Sequence, residues 1–342
     1  MIITLQQIAD EAGVDRATAS RVLSGKASIA RISRERIERV TAVALRLNYR
    51  KNVAAKAIST GRLGAVDLVL SRGDDTSNTP IQMQVGIHDS LARHDLRMQM
   101  SWLSDDQFTN ENFLPFFLRE HSADGILLNY THHIPPQLRD MVKKYELPTV
   151  WLNSRHPADC ICPDDLGGAE LVTRHLIQTG RKKIAYLDYF HNFNDPDVHY
   201  SAIDRMEGYR RAMKEAGLET TIHYRPKDPP LAGWVTAIRA LLENPNRPDA
   251  IISYGHENEI VSIECLRMGI KLPQDMTLAV FGDVPARFAG QSVITVLLQH
   301  YDIGASAVDM LMQKLEHPKV KLAARKVPCL LDLGDDPVML NS

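Results

Sequence analysis

At Gly64 the spacing of apolar residues changes, and that change dictates two kinds of folded unit in one chain. Before it, the apolar positions recur at helical intervals: Leu5, Ile8, Ala9 and Ala12, then Ala19, Val22 and Leu23, then Ile37, Val40, Ala44 and Leu47. After it, short apolar runs (AVDLVL, RMQMSW, GILLN, TVWL, KIAYLDY, AIISY, TLAVF) alternate with amphipathic helical stretches such as 83–94, GGAELVTRHLIQTG and RMEGYRRAMKEAG. Buried strands alternating with helices predict an α/β body with mostly parallel strands.

Charge divides the same way. Residues 1–62 hold 12 Lys and Arg against 5 Asp and Glu, a net +7, which leaves −9 on the remainder of a chain whose total is −2. A basic head on an acidic body is the electrostatic footprint of a polyanion-binding module joined to something else. The 342 residues suggest two domains or three, and 44% apolar content suffices for packed cores. Four cysteines (Cys160, Cys162, Cys265, Cys329) are too few for a disulfide framework in a chain this long. The lone C-x-C pair lacks further ligands at metal-binding spacing, so buried thiols are expected and no metal or cofactor. No charged segment leading into an apolar one opens the sequence, and no run of about 18 apolar residues occurs, so a cytoplasmic protein is expected, with no membrane partner.

In the head, Thr4 followed by Gln7 reads as a capping box on the first helix, and Gly13 as its end. Asp15 caps a second helix whose apolar face is Ala19, Val22 and Leu23, leaving Arg16, Ala17, Ser20 and Arg21 on the other side. Two short helices, a tight turn containing glycine and a polar second helix make a helix-turn-helix. A third helix, expected to be capped by Ser33, closes the small core; Arg34 and Arg36 at its start oppose the helix dipole unless they meet phosphate. A solvent-facing helical hairpin on a larger enzyme is the competing reading of the same residues.

These segments, TLQQIADEAGVDRATASRVLSGK and SRERIERVTAVALRLNYRKNVAAKAISTGR, resemble the N-terminal domain of the lac repressor (LacI/GalR) family of transcriptional regulators, with departures at Gln7, Asp15, Ala19 and Ser24. The resemblance implies that the second helix enters the major groove of double-stranded operator DNA. Arg16, Ala17 and Arg21 would then face base edges, where arginine grips guanine O6 and N7 and alanine touches a thymine methyl. Thr4, Thr18, Ser20 and Ser24 would contact phosphates. YRKNVAAKAIST resembles the family's hinge: Asn52 would cap a short helix, Ala54, Ala55 and Ala57 keep it slim, and Ile58 stands where a leucine commonly wedges into the minor groove. Lys51 replaces a common proline. A plain flexible linker is the alternative there.

The body resembles the same family's effector domain, related to periplasmic sugar-binding proteins, in CPDDLGGAELVTRHLIQTGRKKIAYL and RMEGYRRAMKEAGL. The implied fold class is α/β: a three-helix helix-turn-helix head plus a two-lobed, periplasmic-binding-protein-like (type I) effector domain, with three crossovers and a cleft between two Rossmann-like lobes. The domains read as 1–50 for DNA binding, 51–63 for hinge helix and linker, and 64–342 for ligand binding and dimerisation. By family position Arg205 points into the cleft, Ser201 shares its site and Asp283 accepts from sugar hydroxyls; Asn153 and the loop residues Ser77 and Asn78 are further ligand candidates. Tyr254 and Gly255 replace a common Asn-Asp, which offers an aromatic face to a sugar. The loop 191–201 either lines the cleft or is solvated, and Trp234 reads as core.

Together these imply a repressor that binds a near-palindromic operator as a homodimer or larger assembly and answers to a small-molecule effector, a sugar or sugar derivative. A sugar- or nucleotide-modifying enzyme with a DNA-binding head is the first rival, yet no phosphate-cradling glycine loop, nucleophile elbow or paired-carboxylate spacing is present. A binding protein without regulation is the second.

Overall fold

Thr4 starts the first helix as its spacing predicts. Its hydroxyl accepts from Gln7 N (3.3 Å) and Gln7 Oε1 accepts from Thr4 N (2.8 Å), ahead of α1 (Leu5–Ala12). The computed structural model describes residues 3–25, 31–50, 57–58, 61–72, 79–110, 112–130, 134–225, 230–255, 257–288 and 290–334. The chain divides between Leu63 and Gly64 into two compact units. In the first, Gly13 ends α1 at φ 62°, a left-handed turn that side chains resist. Asp15 then caps α2 (Arg16–Leu23) by accepting from Thr18 N at 2.8 Å. Ser33 occupies the N-cap of α3 (Arg34–Arg46), but its hydroxyl makes no capping bond, contrary to expectation. Glu35 in the first turn favours that end by charge instead, and Glu38 pairs with Arg34 (2.8 Å), whose own charge opposes the dipole there. Ile8, Ala9, Ala12, Ala19, Val22, Val40, Val43 and Ala44 form the small core, and its alanines let the three helices approach closely.

The second unit holds two sheets. The first lobe is built from β1 (Ala65–Ser71), α4 (Ile81–Arg93), β2 (Arg97–Leu103), α5 (Phe116–Arg119), β3 (Gly125–Asn129), α6 (Pro136–Lys144), β4 (Thr149–Leu152) and β5 (Cys160–Pro163). The second takes α7 (Asp165–Gln178), β6 (Ile184–Asp188), α8 (Tyr200–Glu215), β7 (Thr221–Tyr224), α9 (Pro230–Glu243), β8 (Ala250–Ser253), α10 (Glu257–Met268) and β9 (Thr277–Gly282). A short hairpin, β10 (Arg287–Phe288) and β11 (Gln291–Ser292), precedes β12 (Ile294–Leu297). Then come α11 (His300–Glu316), β13 (Arg325–Val327) and β14 (Leu330–Asp332). The sheets run β13-β5-β4-β3-β1-β2 and β14-β12-β9-β8-β6-β7. Every pairing in them is parallel except β12 with β14.

The chain passes between lobes three times: from β5 into α7 at Asp164, from β12 into α11 at Leu298–Gln299, and from β13 to β14 at Pro328–Cys329. Each departure leaves from the carboxyl end of a strand, so those ends of both sheets meet at the crossovers, where open α/β folds place their ligands. Continuous burial of β1, β3, β4, β6 and β8 explains why they read as unbroken apolar runs. Trp234 packs against the second lobe's core, its ring 6.1 Å from that of Tyr189. All four cysteines are buried free thiols. Among the described residues no helix is long and apolar enough to cross a membrane.

Helices α4 and α11 touch backbone to backbone through two glycines. A Cβ on Gly86 would lie 2.1 Å from Tyr301 O, and one on Gly304 2.3 Å from Met83 O. Gly86→Val should therefore force the helices apart and lower stability by about 3 kcal/mol, at the upper end of ordinary overpacking. Urea unfolding measures it, and an unshifted midpoint would refute the close approach.

Candidate functional site

In the N-terminal unit, the burial of Ala19 and Val22 turns the opposite side of α2 outward. Arg16, Ala17, Ser20, Arg21 and Ser24 are exposed there, and Thr18 is half-buried. Three arginines of α3 are occupied, Arg34 by Glu38, Arg39 by Glu35 (3.8 Å) and Arg46 by Glu11 (2.7 Å), while Arg36 is exposed and forms no ion pair among the described residues. Arg16 and Arg21 form no ion pair among the described residues. Two uncommitted guanidinium groups flanking small side chains suit a polyanion that must come close. The hydroxyls are more engaged. Thr4 is exposed but bonded to Gln7, Thr18 Oγ1 donates to Asp15 Oδ2 (2.6 Å), and Ser24 Oγ donates to Arg21 O (3.2 Å). The Thr18 hydroxyl and backbone N–H hold the Asp15 carboxyl below the usual range. Ser20 has no such bond among the described residues. Ile58, helical beside Ala57, is 88% exposed, and Asn52 and Ala55 lie outside the described residues.

In the second unit, Ser201 and Arg205 sit one turn apart on α8 and are both buried. Arg205 Nε donates to Asp165 Oδ1 at 2.7 Å, and the guanidinium carbon lies 4.4 Å from the Tyr254 ring centroid and 4.1 Å from that of Phe281. Burial opposes the Arg205 charge, but Asp165, Tyr254 and Tyr186 together outweigh it and hold the guanidinium above its ordinary value. Ser201 Oγ stands 2.7 Å from both Tyr254 OH and His199 Nδ1. Burial pushes the Tyr254 hydroxyl up to about 12, with Arg205 pulling the other way.

Asn153, at the end of β4 with φ 48°, reaches across from the first lobe. Its carbonyl accepts from His199 Nε2 (3.1 Å) and its side-chain Oδ1 from Tyr200 OH (2.9 Å). Asp283 meets neither Arg205 nor Ser201 by a hydrogen bond; its carboxylate is bonded to Nδ1 of His300, the first residue of α11. Ser77 and Asn78 lie outside the described residues. The loop 191–201 packs onto this region: the His191 ring meets Tyr254 edge-on at 4.4 Å, and Asp188 accepts from His191 N at 3.0 Å.

Spacing alone missed Asp165, His199, Tyr200, Phe281, Glu257 and His300. Only Asp165 and His199 carried a hint, as polar residues beside the DDLGG and Ser201–Arg205 motifs. Glu257 is fully buried where α10 begins. Its Oε1 accepts from Ser253 Oγ (3.1 Å) and Gly255 N (3.0 Å), while Oε2 has no partner among the described residues.

Residues 4–52 match the model for bacterial regulatory proteins of the lacI family, and residues 80–331 that for periplasmic binding proteins and the sugar binding domain of the LacI family. The ribose operon repressor of Escherichia coli (strain K12) is 25% identical over 342 residues, 97% of this chain and 99% of that protein. In fold, the chain is similar to the lac repressor dimer bound to operator and the anti-inducer ONPF, with TM-score 0.70 and 19% identity over 97% of this chain and 98% of that one. It is also similar to a CelR–cellobiose complex, with TM-score 0.64 and 21% identity over 97% and 100%.

Burial pushes the Glu257 carboxyl up to about 7. Between its ordinary value and that point the folded chain holds a proton that the unfolded chain has released. Stability must therefore fall as pH rises through this window. Glu257→Gln should remove the decline and be the more stable form at about pH 8, by a margin on the order of 2 kcal/mol. Urea midpoints across the range measure this, and parallel profiles for the two proteins would contradict it.

Proposed function

The chain belongs to the LacI family of bacterial regulatory proteins, and we propose that it is a sequence-specific transcriptional repressor whose hold on its operator is set by a sugar or sugar derivative bound between the two lobes. The observation that carries this reading is the α2 surface, with Arg16 and Arg21 outward around Ala17 on a helix-turn-helix and without an ion pair among the described residues. Two such heads in a homodimer match a near-palindromic site. Ile58 is exposed as a minor-groove wedge requires, and we assign 1–50 to DNA, 51–63 to the hinge and 64–342 to effector and dimer. Arg205, Ser201, Tyr254 and Asn153 form the effector site, with Asp283 beside the second crossing; Ser77 and Asn78 are kept as ligand residues on their sequence position alone. The protein acts in the cytoplasm, as a regulator and not as an enzyme. Effector and operator binding are linked, so each changes the other's affinity by the same factor.

Arg21→Ala should relax preference at one operator position by about 1–3 kcal/mol, the worth of a bidentate base contact. Binding to a randomised operator library reads this, and uniform weakening across all sequences would assign Arg21 to phosphate. Arg205→Lys keeps a cation opposite Asp165 but loses the planar fork. It should still bind operator, yet need at least about tenfold more sugar for release, a loss of about 1.4 kcal/mol. The sugar is found first by a thermal-shift screen of monosaccharides, disaccharides and their phosphates on the full chain, and undiminished release by Arg205→Lys would remove Arg205 from the site.

A further inference from the structure

A line of hydrogen bonds crosses from one lobe to the other: Asn153 O, His199, Ser201 Oγ, Tyr254 OH. Its direction follows from the chemistry of its ends. A carbonyl oxygen only accepts, so the His199 nitrogen that faces it, Nε2 at 3.1 Å, carries a hydrogen. In a neutral imidazole the other nitrogen then has none, so Nδ1 accepts from Ser201 Oγ at 2.7 Å. Ser201 has spent its one hydrogen, so at 2.7 Å its oxygen receives from Tyr254 OH. Tyr254 retains that hydrogen at cellular pH, because burial holds its hydroxyl at about 12.

We infer that His199 is a positioning residue that fixes the polarity of the effector cleft: held by the Asn153 carbonyl of the opposite lobe, it orients Ser201 so that Tyr254 presents its oxygen to the effector as an acceptor. An effector group docking on that oxygen must therefore bring a hydrogen, as a hydroxyl or an amine does and an ether, ketone or carboxylate oxygen does not. Neighbouring groups share this bias. The Oδ2 atom of Asp165 is a buried acceptor with no partner among the described residues, and Tyr200 has already given its hydrogen to Asn153 Oδ1. Because the carbonyl belongs to the first lobe and the rest of the relay to the second, the polarity is set when the lobes are together. With the lobes apart, His199 loses the acceptor that selects its tautomer. The assignment of an effector to this cleft rests on the function proposed above, but the relay itself does not.

Histidine nitrogen resonances of the full chain, labelled with 15N, test the relay with no effector present. Signals of His199 are identified as those absent from His199→Gln and, independently, as those displaced in Ser201→Ala. The expected result is a neutral ring with Nε2 protonated and Nδ1 bare, and a Nδ1 resonance that moves toward the unbonded position in Ser201→Ala while the tautomer stays. A ring protonated at Nδ1, alone or with Nε2, overturns the inference, since Ser201 would then pass its hydrogen on and Tyr254 would be free to donate. D-ribose and cellobiose, added to the same sample and read by thermal shift, separate the two claims. The relay with no stabilisation by any sugar in the wider screen counts against the cleft's proposed effector and leaves the polarity standing. Stabilisation without the relay sinks the polarity alone.

Discussion

The second unit is organised around one buried ion pair. Asp165 begins α7 immediately after the chain first changes lobes, and Arg205 lies in the middle stretch of α8, so their 2.7 Å contact ties the crossover to the helix that carries the site. Withdrawing both charges from water is costly, and their attraction offsets it only when the geometry is good and the remaining surfaces are covered. Here the coverage is aromatic. The rings of Tyr254 and Phe281 stack against the guanidinium, adding attraction to its cation while excluding water from it. Removing either charge alone would strand the other, a loss of about 3–5 kcal/mol in comparable settings. Tyr254 thus owes its place to Arg205 on one side and to Ser201 on the other.

Around this pair the lobes are joined by charges as well as by covalent crossings. Arg155, following β4, pairs with Asp204 on α8, and Lys326 on β13 lies 3.6 Å from Asp164 and 3.9 Å from Asp204. Burial raises the Asp204 carboxyl and the two cations draw it back, which leaves a carboxylate whose ionisation depends on first-lobe residues remaining close. Asp283 and His300 add a hydrogen bond at the second crossing. A change in the approach of the lobes therefore works against these specific ion pairs.

Local physics made much of the fold legible. Helix starts at Thr4 and Asp15 follow from short polar side chains at the right interval, and strands buried on both faces read as unbroken apolar runs. Strands β5, β7, β13 and β14 lacked that signal, whereas β12 sits in the apolar run VITVLL. The first is Cys-Ile-Cys-Pro, and β7 is half-exposed at a sheet edge, so neither alternates nor runs apolar. Of the site, the helical interval between Ser201 and Arg205 could be read directly from the sequence. What those residues touch could not be, because Asp165 and Tyr254 are 40 and 49 positions from Arg205 and meet it only through sheet order. Asp283 shows the same limit: its position after β9 is local, but its commitment to His300 depends on where α11 begins.

The three crossings also decide when each lobe can be finished as the chain leaves the ribosome. Apart from β14, the second lobe is one uninterrupted segment from α7 to β12 and can close as soon as that segment is made. The first lobe cannot. Ile303, Ala307, Val308, Met310 and Leu311 of α11 complete its core against Val66, Leu68 and Leu70 of β1, from more than two hundred residues downstream. Contacts of such long range form slowly. Until α11 arrives, this face of the first sheet has only α4 over it, the other being covered by residues of α5 and α6. The half of the effector domain made first is thus the last to become solid, and its unfinished sheet is the surface that synthesis must shelter.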